Sequence, residues 1–516
     1  MFVGTVETFD LDSRLDAGFY EPKYLAICQQ LVKLGAKPLN SIVSNVACGP
    51  FGGNAIADDI YQDEGLSFIR PINISSNKFD SSDLAKVPEN VLIANGLKIY
   101  EGENLYFGRV GVPCVALISG KTSISPNIII AEAKSSKADC YYLYSYLSSS
   151  YGLTQLKRQL KEVAQPTTST EAVKGLLVYE PHLSVQKYIG NKVRCSELIR
   201  QECLNIEEEL AGKIQTVVRG SQKPIGKIYT KQSADFITPN RLDPKFYSLV
   251  SLWSEFEVVQ GPYEHHRLGD LTLRIKDGPG GWGVSTNDYK PHGVPVIRSV
   301  NIIDGECDLT DCVYISEDKH QELIGHQAKK GSVVLSVRGT VGRAAVFDTE
   351  GLESASLNAA VVTIDCKENR LNPYFLAAFF NSTVGNTQAN RIANGAVQLN
   401  MNLTETASNL IPLPPIEVQE DIERVYRKLI VSRQLSRNLL SASKLLVEAL
   451  IEGKITEAEL NSAQQALDID DNTKDKAILS KLTEKGYAIE DAKPLFSNLE
   501  ELYEILEEAQ QEKEQG

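Results

Sequence analysis

The two halves of this chain repeat each other, and that restricts its fold more than any other feature. R-L-D-A-G-F-Y at Arg14–Tyr20 returns as R-L-D-P-K-F-Y at Arg241–Tyr247. F-I-R-P-I-N-I at Phe68–Ile74 returns as V-I-R-S-V-N-I at Val296–Ile302. G-R-V-G at Gly108–Gly111 matches G-T-V-G at Gly339–Gly342, and S-P-N at Ser125–Asn127 matches S-L-N at Ser356–Asn358. V-Q at Val185 and Gln186 matches V-Q at Val418 and Gln419. The separations run from 227 to 233 and rise along the chain, as a duplication with small insertions does. A period of roughly 230 residues is too long for a solenoid repeat and fits a duplicated domain with its connector.

Each half has one layout. Short strand-like runs, Pro113–Ile118 and Asn127–Ala131 in the first half, Val333–Val337 and Ala359–Ile364 in the second, lie between Gly, Pro and Asn punctuation. A helical piece follows, Cys140–Leu147 or Asn372–Phe380, and each half ends in a long helix. In the first, Ile189, Val193, Ser196, Ile199, Cys203, Ile206 and Leu210 recur at intervals of three and four. In the second, Ile422, Val425, Leu429, Leu435, Leu439, Ala442, Leu446 and Leu450 do the same. Such stripes let a helix bury one narrow face. A helix over Glu417–Glu452 is on the order of 50 Å long, more than a small domain is wide. The two stripes are therefore expected to pack antiparallel on each other. Gly212 and Gly453, in the matching phrases Ala211–Ile214 and Glu452–Ile455, read as C-terminal caps of these helices.

Charge gives no positive support for a nucleic-acid partner. The formal net charge is -14, but sixteen acids and six lysines sit in Thr456–Gly516, so the remaining 455 residues carry only -4. A near-neutral body can still present a basic face. The acidic segment has no first-half counterpart and reads as a small helical unit, with Ile478, Leu479, Leu482, Tyr487 and Leu495 as its core. No apolar run reaches the roughly 18 residues a membrane span needs. Met1–Asp12 lacks a basic secretory n-region, so a cytoplasmic location is expected. The nine Cys and six His form no zinc-type spacing. N-P-Y-F at Asn372–Phe375 lacks the second Pro of an amino-methyltransferase motif, and no Walker, nuclease or nucleophile-elbow pattern occurs, so no enzyme is expected.

The order of these segments resembles the DNA-specificity subunit of type I restriction–modification systems. The phrases that carry it are I-R-S-V-N-I at Ile297–Ile302, V-R-G-T-V-G at Val337–Gly342, Q-L-N at Gln398–Asn400, I-P-L-P-P-I-E-V-Q at Ile411–Gln419 and L-I-E-G-K-I-T at Leu450–Thr456. The resemblance covers roughly residues 10–455. It implies an α/β (α+β) fold: two duplicated globular target-recognition-like domains separated by two long antiparallel helices, plus a small C-terminal helical extension. The expected boundaries are 1–184 and 241–417 for the recognition domains and 185–215 and 418–455 for the spacer helices. A linker at 216–240 and an acidic extension at 456–516 complete the chain. The resemblance further implies a non-catalytic subunit that reads a bipartite target on double-stranded DNA. It would direct two adenine methyltransferase subunits, which bind the S-adenosylmethionine, and an ATP-dependent restriction subunit could join them. A duplicated protein-binding scaffold, or a specificity factor of a variant methylation-based phage-defence system, is the alternative. The first half has F-G-R-V-G and Q-P-T-T where the second has V-R-G-T-V-G and Q-L-N-M, which points to an altered reading role there.

Candidate DNA contacts follow from side-chain chemistry. Arg70 with Asn73, and Arg298 with Asn301, pair residues able to read guanine and adenine edges, though strand ends use them too. Arg338 and Arg343 flank the Gly339–Gly342 turn. Lys157, Arg158 and Lys161 in the first half, and Gln388, Arg391 and Gln398 in the second, lie in donor-rich runs. Trp282, in a loop of four glycines matched by Phe51, suits groove insertion or packing on the core equally.

Overall fold

The structure, a computed structural model, describes residues 16–50, 61–75, 77–133, 137–160, 166–224, 243–280, 283–395 and 398–515. Its contacts group the chain into two compact units. One joins the residues up to Ile199 to those from Leu435 onward, and the other is Arg200–Gln434. The cut passes through both long helices, so each unit holds one copy of the repeat and one stretch of each helix.

The copies match element by element. The first has an antiparallel sheet in the order Asn45–Cys48, Ile128–Glu132, Asn104–Gly108, Val115–Ile118. The second repeats it with Thr272–Asp277, Val361–Cys366, Val333–Ser336 and Ala344–Val346. A smaller sheet centres on Leu66–Ile69, antiparallel to Ala85–Val87 and parallel to Thr122–Ile124. In the second copy Val294–Ile297 takes that place between Val313–Ile315 and Ser354–Leu357, and Gln327–Lys329 adds a strand. The strand at the centre of each main sheet is buried along most of its length, so it reads as an apolar run rather than an alternation. The expected strands are present, with ends moved by a residue or two.

Buried polar groups repeat with equal fidelity. Asp16 accepts a hydrogen bond from Phe19 N, and Asp243 from Phe246 N, each starting a short 3-10 turn. The aromatic pairs Phe19–Tyr20 and Phe246–Tyr247 both stand edge to face with centroids 5.0 Å apart. Arg158 donates through Nε to Phe19 O (3.1 Å) and lies over the Phe19 ring; Arg391 donates to Phe246 O (3.0 Å) and lies over the Phe246 ring. Arg391 also pairs with Glu255. The buried Gln155 amide closes a two-way pair with the Leu177 backbone, and the buried Gln388 amide does so with Leu410. Asp139 and Asn372 cap the next helix, and their own N–H groups donate to Gln186 and Gln419 on the long helices. That cap accounts for Asn372 in N-P-Y-F.

Hydrogen bonding corrects the register of two sequence matches. Gly111 N donates to Pro166 O as Gly339 N does to Leu399 O, so Gly111 pairs with Gly339 rather than Gly342. Ser125 N donates to Ile69 O as Asn358 N does to Ile297 O, so Ser125 pairs with Asn358 rather than Ser356. Letter matches slid because the hairpin after Gly108 is one residue shorter than that after Ser336, and more residues are inserted before Ser354. Arg14 and Arg241, which open the first match, lie outside the described residues.

The long helices span Leu183–Val217 and Ile416–Ile451, each about 50 Å by rise per residue. Their apolar positions are buried, from Ile189 and Val193 through Ile199, Cys203 and Ile206, and from Ile422, Val425 and Leu429 through Leu435, Leu439, Ala442, Leu446 and Leu450. Leu210 is half-buried. In the first unit Ser196 Oγ donates to Ser436 O (2.8 Å) and Ser436 Oγ to Ser196 O (3.0 Å). In the second, Lys213 meets Asp421, Glu207 meets Arg433 and Glu202 meets Lys428. Within the second unit, Glu207 meets Arg433 and Lys213 meets Asp421, so the numbers rise on one segment as they fall on the other and the segments there run antiparallel. Gly212 is not the cap expected of it. The helix continues through it because Ile214 and Val217 are still buried in the second unit's core. Gly453, at φ +72°, follows the end of the second helix, which stops at Ile451 rather than 455.

The acidic extension forms helices Glu457–Leu467, Thr473–Leu479 and Leu499–Gln515, with a small hairpin at Leu482–Tyr487. It is fastened to the first unit by a buried charge. Asp475 receives Lys192 Nζ at 2.5 and 2.6 Å, Tyr188 Oη at 2.5 Å, and Tyr503 Oη. Burial, then the Asp475 charge, holds both phenols well above their usual range, so they remain donors.

Two stability predictions follow from these buried charges. Asp475→Ala strands the Lys192 ammonium and should cost about 3–5 kcal/mol, read as a lower melting temperature and early proteolysis of the extension. Arg391→Ala should cost about 2–4 kcal/mol in denaturant melts, a loss that a solvent-facing arginine would not give.

Candidate nucleic-acid interface

The Arg–Asn pairs are scaffold, which corrects their reading as base contacts. Asn73 is 1% exposed and its amide is fully engaged. Its oxygen accepts from Arg70 N, and its nitrogen donates to Asp80 O and Asp83 O. Asn301 repeats this with Arg298 N and Asp308 O. The guanidinium groups turn inward: Arg70 Nη2 donates to Asp83 O (2.7 Å), and Arg298 Nη2 to Asp311 O (2.6 Å). A buried amide has to be paired, and using it on a base would leave these carbonyls unpaired.

Arg158, Gln388 and Arg391 are corrected for the same reason. They sit on the inward faces of helices Ser150–Gln159 and Thr383–Ile392, bonded as described above. Lys157, on the outward face of the first of these helices, is exposed. Lys161 and Trp282 lie outside the described residues, as do Phe51 and Gln165.

Three candidates remain exposed and come together in the second copy: Arg338, Arg343 and Gln398. The hairpin between Ser336 and Ala344 carries the arginines. Gly339 N donates to Leu399 O (3.1 Å), and Met401 N to Val337 O (2.9 Å), which stitches the hairpin to the segment after Gln398. Arg338 Nε donates to Asn400 Oδ1 at 3.1 Å, which aims the guanidinium along this edge. Gly342 turns at φ +92°, a left-handed conformation that favours glycine, and a Cβ there would press on the Asn386 amide at 2.8 Å. Asn390 Nδ2 donates to Val341 O from the helix below. The positioning roles of Asn386, Asn390 and Asn400 were missed from sequence. Asn400 lies in the same Q-L-N phrase as Gln398, which is the one signal in the sequence for its role.

The same edge of the first copy has different chemistry. By hydrogen-bond register, Val110 stands where the second copy has Arg338. Cys114, buried with its thiol pushed up by desolvation, stands where it has Arg343. Val112 is 81% exposed there, and Arg109 Nη1 reaches Pro126 O. The scaffold is thus shared while this edge is basic and polar in one copy and more apolar in the other.

The root of the glycine-rich loop is shared again. A Cβ on Gly49 would lie 2.4 Å from Ser125 O, and one on Gly278 2.1 Å from Asn358 O. Among the described residues no group of three or more His, Cys, Asp or Glu is placed to hold a metal ion, and no helix is long and apolar enough to cross a membrane.

A family model described as the type I restriction modification DNA specificity domain matches residues 264–439. The chain is 23% identical to the EcoBI type I restriction enzyme specificity subunit of Escherichia coli over 303 residues, 58% of this chain and 59% of that protein. It is 25% identical to the putative MjaX type I restriction enzyme specificity subunit of Methanocaldococcus jannaschii over 177 residues, 33% of this chain and 40% of that protein. It therefore spans about three fifths and two fifths of the length of these curated relatives. A type I restriction–modification S subunit from M. genitalium aligns with a TM-score of 0.44 at 10% identity, covering 82% of this chain and 96% of that one. Residues 264–439 thus match the model of the type I restriction modification DNA specificity domain, on a chain similar to the specificity subunits of type I restriction enzymes.

Proposed function

We propose that this chain is a sequence-specific DNA-binding subunit that reads a bipartite duplex target, one block per copy. The observation that carries the reading is one hydrogen-bonded scaffold used twice with different side chains at the same edge. Different edges suit different bases, and an unchanged scaffold suits one docking geometry. In the second copy Arg338 and Arg343 supply donors for guanine edges or phosphates, and Gln398 for an adenine edge. In the first, Arg109, next to Val110 in the chain, supplies a cationic group at that edge. The reading domains are 1–184 and 241–417, and the long helices act as the spacer that fixes how many base pairs go unread.

On this reading the chain transfers no methyl group itself. Two adenine methyltransferase subunits supply that chemistry with their own S-adenosylmethionine, and an ATP-dependent restriction subunit is a further partner. The setting is the cytoplasm, where the DNA is. The net charge of -14 favours the second reading, a protein-binding scaffold without base recognition.

Selection of the purified chain with its methyltransferase subunit from a randomised duplex pool separates the two. Two short blocks at fixed separation are expected; recovery of no common sequence favours the scaffold. Replacing Arg338, Arg343 and Gln398 together by Ala should relax one block and spare the other. For Arg343→Ala alone, binding should weaken about tenfold, and if the contact is to phosphate the salt slope should fall by about one. Labelled methyl groups should enter DNA only when the methyltransferase subunit is present. Incorporation by this chain alone would overturn the non-catalytic assignment.

A further inference from the structure

In each copy one apolar side chain stands out of a turn built to hold it still. Ile72 and Val300 are each 61% exposed. They are the middle residues of the 3-10 turns Pro71–Asn73 and Ser299–Asn301. Beneath each tip lies the buried asparagine and inward-facing arginine described above. A single exposed apolar residue is ordinary. Two β-branched residues at equivalent positions, each on a turn that spends a buried amide and a guanidinium on its own rigidity, need a reason. Rigidity lowers the entropy lost when such a tip is buried by a partner.

The rim of each tip supplies the chemistry of that partner. Asp80 accepts from Ser82 N at 2.8 Å, and Asp308 from Thr310 N at 2.9 Å. Asp83 and Asp311 follow, both exposed. Acids therefore flank the tip in both copies, although in the first copy Arg70 also reaches the exposed Asp83 carboxylate at 3.2 Å. Lys78 has Glu306 as its counterpart, so that position is no part of a shared contact. Carboxylates repel phosphate, which sets these tips apart from a DNA-facing surface.

We propose that the two turns are matching docking knobs, each received by one copy of the same partner protein in an apolar pocket rimmed by Lys or Arg. Equivalent surfaces presented twice bind the same partner twice. The proposal rests on the functional reading in taking that partner to be the methyltransferase subunit.

Native mass measurement of the full chain with its purified methyltransferase subunit tests it. Wild type should bind two copies. Ile72→Asp and Val300→Asp should each bind one copy as before and the second about tenfold or more weakly, and the double variant should weaken both. Ile72→Val and Val300→Ile should restore two copies, and melting temperatures should not change, since both positions are exposed. Two copies bound by both Asp variants at unchanged affinity would sink the docking proposal and leave the DNA-reading assignment standing. Loss of a selected DNA block with two copies still bound would place the tips on DNA and overturn it as well. A wild-type chain that selects DNA but binds no methyltransferase removes the partner assignment, and the knobs with it.

Discussion

Each copy is governed by the need to pair polar groups buried between its sheets and helices. The Arg158 and Arg391 guanidiniums and the Gln155 and Gln388 amides tie together separate segments, and the Asn73 and Asn301 amides close a local turn. Such groups cost little when fully bonded and a great deal when one partner is lost. They therefore tolerate almost no change, and they fix where the exposed edges stand. The variable hairpin carrying Arg338 and Arg343 is held by main-chain bonds to this frame, so its side chains can differ from those of the other copy at small cost.

Much of this was legible in the sequence. Repeated phrases exposed the duplication, and three-four spacing exposed both long helices. Burial of Ile189, Val193, Leu439 and Leu446 is what a narrow apolar stripe asks for. What failed was the assignment of donors to a surface. Gln388 and Arg391 lie three apart, so they share a helix face, and that face turns inward. Side-chain polarity does not reveal the direction of a face when the buried groups are themselves polar. A usable signal was present: Gln155 and Arg158 precede them by the same interval as Gln186 precedes Gln419. Residues kept at a constant offset serve the shared frame, whereas base-choosing residues have reason to differ. Trp282 and Lys161 fall outside the described residues, so their roles rest on sequence.

Register was the second limit. Short glycine-containing phrases match by letter at several alignments, and only main-chain bonding separates them. Gly111 pairs with Gly339 because both N–H groups donate to the carbonyl of the segment that stitches the hairpin down. Insertions before Ser354 and within the hairpin fall between strands, where chain length is cheap. The long helices posed no such difficulty, since a periodic stripe carries its own register.

Gly49 and Gly278 press so closely on a neighbouring carbonyl that no side chain fits at either position. The consequence is a division of labour in how such a chain can change over generations. The anchor points are fixed by steric exclusion, while the chain beyond them, at the loops and the Ser336–Ala344 hairpin, can be lengthened, shortened or replaced without reopening the interior. A lineage could thus acquire a new specificity by exchanging a few turns on an inherited chassis, and each copy could do so independently of its twin.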